Sequence, residues 1–247
     1  MQAQDSYNNP FLVQTDQFPT AQYPSGVPVD LVSDSAGSKN FANAALVWQG
    51  PSMTVYIPTG ASFVTFYHSD TLTGVHIIGA TASGGAVFTP GSQPVTITAR
   101  QPERLRFTTP AKRLIAGEAS PTTYFIRAED QYGNVAPVNQ PTTIILAAQS
   151  LEGRFTQTPE NPLSWDGPSG VGVAISSGQT SVGFFYKDKI AMGAPRITAA
   201  AGAFPEAQAT LLGQTTELWE TITPSSAAYF ALSHAGTVSV GSPGTVV

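Results

Sequence analysis

The chain has 247 residues, of which 41% are hydrophobic and only 11% charged, with a net charge of −5 and no Cys. An ordinary soluble domain carries about 25% charged residues. The acidic balance excludes an electrostatic footprint for nucleic acid or an anionic membrane, and the missing Cys excludes disulfides, zinc–thiolate sites and cysteine nucleophiles. Ser and Thr supply about a fifth of the residues, punctuated by 23 Gly and 20 Pro. That mixture argues against long helices and for short strands joined by tight turns. No apolar run approaches the ~20 residues that a bilayer-spanning helix needs. No signal peptide is visible in Met1–Asp5, which has neither a basic nor an apolar stretch.

In chain order, the first element is a turn, Ala3-Gln4-Asp5-Ser6-Tyr7-Asn8-Asn9, and it is answered later by Ala128-Glu129-Asp130-Gln131-Tyr132-Gly133-Asn134. Trp48-Gln49-Gly50-Pro51-Ser52 is answered by Trp165-Asp166-Gly167-Pro168-Ser169, and Val55-Tyr56-Ile57 by Val173-Ala174-Ile175. Phe66-Tyr67, Asp70 and Gly74 answer Phe185-Tyr186, Asp188 and Gly193. In this alignment Tyr-Lys-Asp is stretched to Tyr67-His68-Ser69-Asp70, the mark of a small bulge. The offsets drift between about 117 and 125 residues, as loops of unequal length require. The chain is therefore one unit repeated.

The second copy, from about Glu103 to Leu212, alternates apolar and polar residues with period two, the mark of half-buried strands. Leu105 and Phe107 form one inward set, then Tyr124, Ile126 and Ala128, then Ile144, Leu146 and Ala148. Val171, Val173 and Ile175 follow, then Val182, Phe184 and Tyr186, then Ile197 and Ala199, with 207–212 as a closing strand. About seven strands with turn residues every 8–15 positions read as an all-β sandwich. In the turn Asp130, Tyr132, Gly133 and Asn134, the Asp and Asn side chains can bond their own backbone and Gly133 permits a positive φ. Asp5, Tyr7 and Asn9 form the first copy of that turn, with Asn8 at the glycine position. Tyr7 and Tyr132 are expected over the core edge, their hydroxyls tied to a loop. A calcium site on Asp5 and Asp130 is the functional alternative, but no dense acidic run supplies the 6–8 oxygens it needs.

The stretches Ala128–Phe155 and Ile175–Ala199, with their earlier counterparts Ala3–Pro10 and Ile57–Ala82, resemble bacterial immunoglobulin-like repeat domains of the invasin/intimin-like type. The resemblance implies tandem immunoglobulin-like Greek-key sandwiches in a secreted or surface-anchored protein, serving as stalk, scaffold or adhesion module. It brings no catalytic residue and no cofactor. The expected domains are 1–100, lacking its opening strands, and 101–213. A linker at 214–226 and the opening strands of a third repeat at 227–247 follow.

The frame of the repeat is its oddity. Met1 aligns with Ile126, so the first copy lacks the counterpart of Glu103–Phe125. At the other end Tyr229-Phe230-Ala231-Leu232-Ser233 resembles Arg104–Thr108, and Val238-Ser239-Val240-Gly241 resembles Leu114–Gly117. The tail, ending near the counterpart of Thr122 or Thr123, thus holds nearly what the first unit lacks. Restoring about five apolar side chains at ~1.5–3 kcal/mol each is worth on the order of 10 kcal/mol before entropy. Three fillers are open: neighbouring repeats of a longer chain, internal closure, or donation of Tyr229, Phe230, Leu232, Val238, Val240 and Val246 to another copy. Donation would build a head-to-tail homopolymer at the cell surface.

Chemistry has few candidates. His68 and His76 near Asp70 have the residue types of a metal site, but the second copy carries Lys187 and Pro195 or Arg196 nearby, so the unit does not need a metal there. No nucleophile elbow, no phosphate loop and no carboxylate pair in a cleft stands out, Glu217 and Glu220 reading as solvated linker residues. Trp48 and Trp165 read as caps of the sandwich ends or junction packing, and Trp219 as a contact at a domain junction or subunit interface. An exposed Trp platform for glycans is the competing reading.

Overall fold

The computed structural model describes residues 1–161, 165–191, 193–201 and 215–228. Among these the regular structure is all strand, without a helix. Two compact units divide the chain. The first is Met1–Arg104 together with Glu129–Pro137; the second is Leu105–Ala128 together with Val138–Val247.

The first unit contains β1 (Val27–Ser33), β2 (Asn40–Asn43), β3 (Trp48–Gly50), β4 (Ser52–Ile57), β5 (Phe66–Ser69), β6 (Gly74–Ala82) and β7 (Gly91–Ile97). One sheet runs β4-β1-β6-β7 and the facing one β3-β2-β5. Alternation makes the layers. Val27, Val29 and Leu31 of β1 and Met53, Val55 and Ile57 of β4 turn inward and are buried, in antiparallel register Val29↔Val55 and Leu31↔Met53. Phe41 of β2 closes the core from the facing sheet.

The second unit adds β8 (Arg104–Phe107), β9 (Arg113–Ile115), β10 (Tyr124–Glu129), β11 (Thr142–Ala148), β12 (Arg154–Thr156), β13 (Ser169–Ile175), β14 (Ser181–Lys187) and β15 (Arg196–Ala201). It ends with β16 (Thr215–Trp219) and β17 (Thr221–Thr223). Its sheets run β12-β14-β10-β8 and β13-β11-β15-β16, and β17 pairs in parallel with β9. The register Ile144↔Val173 and Leu146↔Val171 reproduces that of β1 with β4. The sheet β4-β1-β6-β7 is thus the counterpart of β13-β11-β15-β16, strand for strand.

Two expectations need correction. The stretch 214–226 is not a linker: β16 continues the sheet beside β15, with Ile197↔Leu218 in register, and Leu218 and Ile222 are buried. Those short apolar steps read as linker because their partners lie in distant sequence. The closing strand expected at 207–212 lies outside the described residues. The second correction is the stretched tyrosine segment. Phe41 faces His68 as Phe155 faces Tyr186, so His68 corresponds to Tyr186 and Asp70 to Asp188, with no insertion.

The facing sheets differ. Beside β14 the second unit has β10 and then β8, whereas among the described residues β5 has β2 as its neighbour, with the bridge Gln2↔Phe63 near its start. Among the described residues the core cluster of the second unit holds 20 buried apolar side chains and that of the first 10. Leu105, Leu114, Tyr124 and Ile126, on β8, β9 and β10, account for much of the difference.

Candidate functional site

The opening segment of the first unit is a strand edge used on one side. Ala3 N–H donates to the Ser62 carbonyl at 2.7 Å, Val64 N–H to the Met1 carbonyl at 3.0 Å, and Phe11 N–H to the Ala3 carbonyl at 2.9 Å. Successive peptide groups along an extended chain point to opposite sides, so the N–H and C=O of Gln2 and Gln4 face the other way. In the second unit that side of the corresponding segment carries β8, with Thr108 N–H donating to the Phe125 carbonyl at 3.0 Å. Beside Gln2 and Gln4 opens a groove of about 480 Å³, floored by Val27, Val29, Ala80 and Phe88. In the second unit Leu105 and Leu114 are nearly fully buried and Phe107 packs against them. The groove is where those side chains would lie.

The edge of β5 tells the same story in polar groups. The Tyr186 hydroxyl donates to Asp188 Oδ2 at 2.7 Å, while Ser150 Oγ and the Ile190 N–H donate to Asp188 Oδ1, each at 2.9 Å. In the first unit Leu72 N–H donates to Asp70 Oδ1 at 2.9 Å, but His68 replaces the tyrosine. Asp70 Oδ2 and both His68 ring nitrogens are buried without a hydrogen-bond partner among the described residues. Burial pushes the Asp70 carboxyl up, but hydrogen bonds from Ser35 and Leu72 and the nearby His76 outweigh it, holding it below the ordinary carboxylate value. Burial holds the His68 imidazole below its ordinary value, against the pull of Asp70. The ring packs on Phe41, centroids 4.8 Å apart. His76 Nδ1 lies 3.9 Å from Asp34 and its Nε2 3.0 Å from the Leu72 carbonyl, and no three His, Asp or Glu side chains among the described residues are grouped so as to hold a metal ion.

Both turns close by the same bonds. Asp130 Oδ1 accepts the N–H groups of Tyr132 and Asn134, each at 2.9 Å, and Asp5 Oδ1 accepts those of Tyr7 and Asn9 at 2.9 Å. The Asn side chain then donates to the second carboxylate oxygen, at 3.0 Å in each turn. Gly133 has φ +87° and Asn8 φ +66°, the left-handed region that Gly adopts freely and Asn tolerates. Hydrogen bonds hold the Asp5 carboxyl below its ordinary value, and in Asp130 they outweigh the effect of burial. These carboxylates thus serve as turn acceptors. Tyr7 and Tyr132 do not lie over the core: they are 83% and 51% exposed, because the tight Asx turn carries each ring outward. Within the first unit Asn134 also donates to the Thr71 carbonyl at 2.8 Å and accepts from the Thr73 N–H at 3.2 Å.

The remaining candidates scatter. Trp48 is 47% exposed, Lys187 Nζ covers the Trp165 ring at 4.1 Å, and Trp219 is 52% exposed beside Arg196. They form no common platform within a unit. Glu220, expected in solvent, is fully buried and accepts the Lys112 N–H at 2.8 Å, because it sits where the chain passes from β16 to β17. Burial pushes its carboxyl up, and the Lys112 N–H, the Tyr124 hydroxyl and the Lys112 charge only partly oppose this. Sequence reasoning missed this residue; its signal was the alternation of Leu218, Glu220 and Ile222. The proposed donor residues Tyr229, Phe230, Leu232, Val238, Val240 and Val246 lie outside the described residues.

No family model and no curated protein matches the chain. Similar solved structures include domains 1–6 of the surface layer protein SbsC, at 13% identity and a TM-score of 0.32, covering 94% of this chain and 24% of that one. SbsC domains 4 and 5 match at 12% identity and a TM-score of 0.30, covering 90% of this chain and 78% of that one. A beta-glycosidase from Bacteroides vulgatus matches at 13% identity and a TM-score of 0.36, covering 75% and 21%. The chain spans about a quarter of the length of the first of these. At such identities and scores the likenesses carry no argument about function.

Proposed function

We propose that the chain is a non-enzymatic structural module, extracellular or at a cell surface, whose copies join head to tail by strand donation. The observation that carries this reading is the groove beside Gln2 and Gln4, with its outward main-chain groups and apolar floor. Such an edge is a template for another strand. The tail repeats the sequence of the strands that occupy the corresponding place: Phe230 and Leu232 stand at the positions of Leu105 and Phe107, and Val238 and Val240 at those of Leu114 and Ala116. Burying four such side chains is worth on the order of 10 kcal/mol at ~1.5–3 kcal/mol each, against ordering and association costs of comparable size. Donation from each copy to the next is a heterologous contact that does not close, so it propagates as a filament. The resemblance to bacterial surface repeats supports the location.

Size exclusion and negative-stain microscopy of the full chain and of a chain lacking Tyr229–Val247 test the reading. The full chain should form filaments or short oligomers and the truncated chain should not. A monomeric full chain, or assembly that survives the deletion, overturns it.

A further inference from the structure

We propose that the outer face of the sheet β3-β2-β5 is a binding site for a neutral, extended oligosaccharide stacked on Trp48 and Tyr67. The register places the two rings. Phe41 lies in the core and faces His68, so the next residues on each strand, Ala42 and Tyr67, turn outward. Ala42 is paired with Tyr67 on one side and with Trp48 on the other, so the three stand in one row across the sheet. Two strand spacings put the backbones of Trp48 and Tyr67 ~9.6 Å apart. Trp48 is 47% and Tyr67 43% exposed, whereas Ala42 between them is fully buried, although it lies outside the core cluster. Large, half-exposed rings on either side of a small, covered residue make a flat surface rather than a cleft.

The second unit builds the same row and covers it. Thr156 is paired with Phe185, and Trp165 stands beside Thr156, one residue from the bridge Phe155↔Asp166. One rung along, Arg154 faces Lys187, whose Nζ lies over the Trp165 ring at 4.1 Å. The corresponding rung of the first unit is Asn40 with Ser69. A serine is too short to reach the indole. The ring that Lys187 covers in the second unit is therefore bare in the first: Trp165 is half-buried and Trp48 exposed.

A bare aromatic face in water takes a cation or the apolar C–H face of a sugar ring. A cation uses one ring, whereas two faces ~9.6 Å apart suit a ligand with several apolar faces in line. In a β-1,4-linked glucan the hydroxyls are equatorial, each ring shows C–H groups on both faces, and two linked rings span a gap of this size. The rim matches the hydroxyls. Asn40 and Ser69 are uncharged, and Gln49, the extra residue of the bulge opposite Phe41 and Ala42, is exposed beside Trp48. Asn40 Oδ1 accepts the Gly50 N–H at 2.7 Å, which holds the amide in place. A few placed polar groups around an apolar surface fix a ligand's orientation. The net charge of −5 disfavours an anionic glycan, so the ligand is neutral.

Calorimetric titration of the full-length chain with cellohexaose and with N-acetylchitohexaose tests the site, whether or not the chain assembles. At least one of the two sugars should bind at a single site per chain. Trp48→Ala and Tyr67→Ala should each weaken binding about tenfold, and Trp165→Ala should leave it unchanged. Ser69→Lys removes no ring and sits at an exposed strand position, so it serves where an alanine variant fails to fold. A lysine there should cover Trp48 as Lys187 covers Trp165 and weaken binding by a similar factor. Absence of binding by both sugars overturns the proposal, and so does binding that survives Trp48→Ala or Ser69→Lys. A fluorescence response to tetramethylammonium that is lost in Trp48→Ala, with no binding of either sugar, assigns the face to a cation and overturns it too.

Discussion

Replacing Tyr186 with Phe isolates one hydroxyl at the centre of the second unit. The ring is fully buried and packs on Phe155 with centroids 5.2 Å apart, and that packing survives the change. What is lost is the 2.7 Å bond to Asp188, a carboxylate 1% exposed whose other oxygen is held by Ser150 and the Ile190 N–H. A hydrogen bond to a charged group contributes ~1.5–3 kcal/mol, and its removal leaves a buried acceptor unpaired. The expected cost is about 2 kcal/mol in the second unit, which lowers its melting midpoint by roughly 5–10 °C. Hydrogen exchange read strand by strand keeps the units apart: β14 amides should lose protection and β5 amides should not. A loss below about 0.5 kcal/mol, or equal loss in β5, refutes the reasoning. The converse change is instructive. A Cβ on Gly153 would stand 2.8 Å from the Tyr186 hydroxyl, and Lys39 occupies the corresponding place in the first unit. His68→Tyr alone should therefore destabilise that unit, and His68→Tyr with Lys39→Gly should recover stability.

Four further outcomes follow from the same geometry. The Glu220 carboxyl is pushed up on folding, so the folded chain holds its proton at pH values where the unfolded chain has released it. Stability of the second unit should fall as pH rises from about 4.5 through the raised value, and Glu220→Gln should abolish that fall in urea midpoints measured from pH 4 to 8. Asp130 is depressed, so its contribution is present above the ordinary carboxylate value and is lost as pH falls through the lower one. Asp130→Ala should cost about 2–3 kcal/mol in urea unfolding, and more than Asp5→Ala, because the Asp5 turn stands in solvent. Gly133→Val forces a β-branched residue to φ +87° and should cost more than 1 kcal/mol. Asn8→Gly should be neutral or slightly stabilising in the same assay.

The two Asx turns were legible from sequence because their bonds are local: Asp, Asn and a left-handed residue close the loop whatever surrounds it. The inward sets of β8, β10, β11, β13, β14 and β15 were legible because a buried face imposes period two on one strand at a time. The repeat was legible for the same reason, since equal folds reuse equal local patterns. His68 was misaligned by one position because a shared Phe-Tyr pair outweighed the ladder, and ladder register is set by the partner strand.

Local chemistry therefore determined from the sequence the all-strand architecture, the duplication and the turns. Only the tertiary structure decided that β16 and β17 close the second unit, that Glu220 is buried, and that His68 rather than Tyr67 stands in the place of Tyr186. Each of those depends on which distant strand lies alongside. A strand's own side chains report whether a face is buried, but its edge hydrogen bonds go to main-chain groups that look alike in every residue. The pairing of an edge is thus invisible until the neighbouring strand is in place.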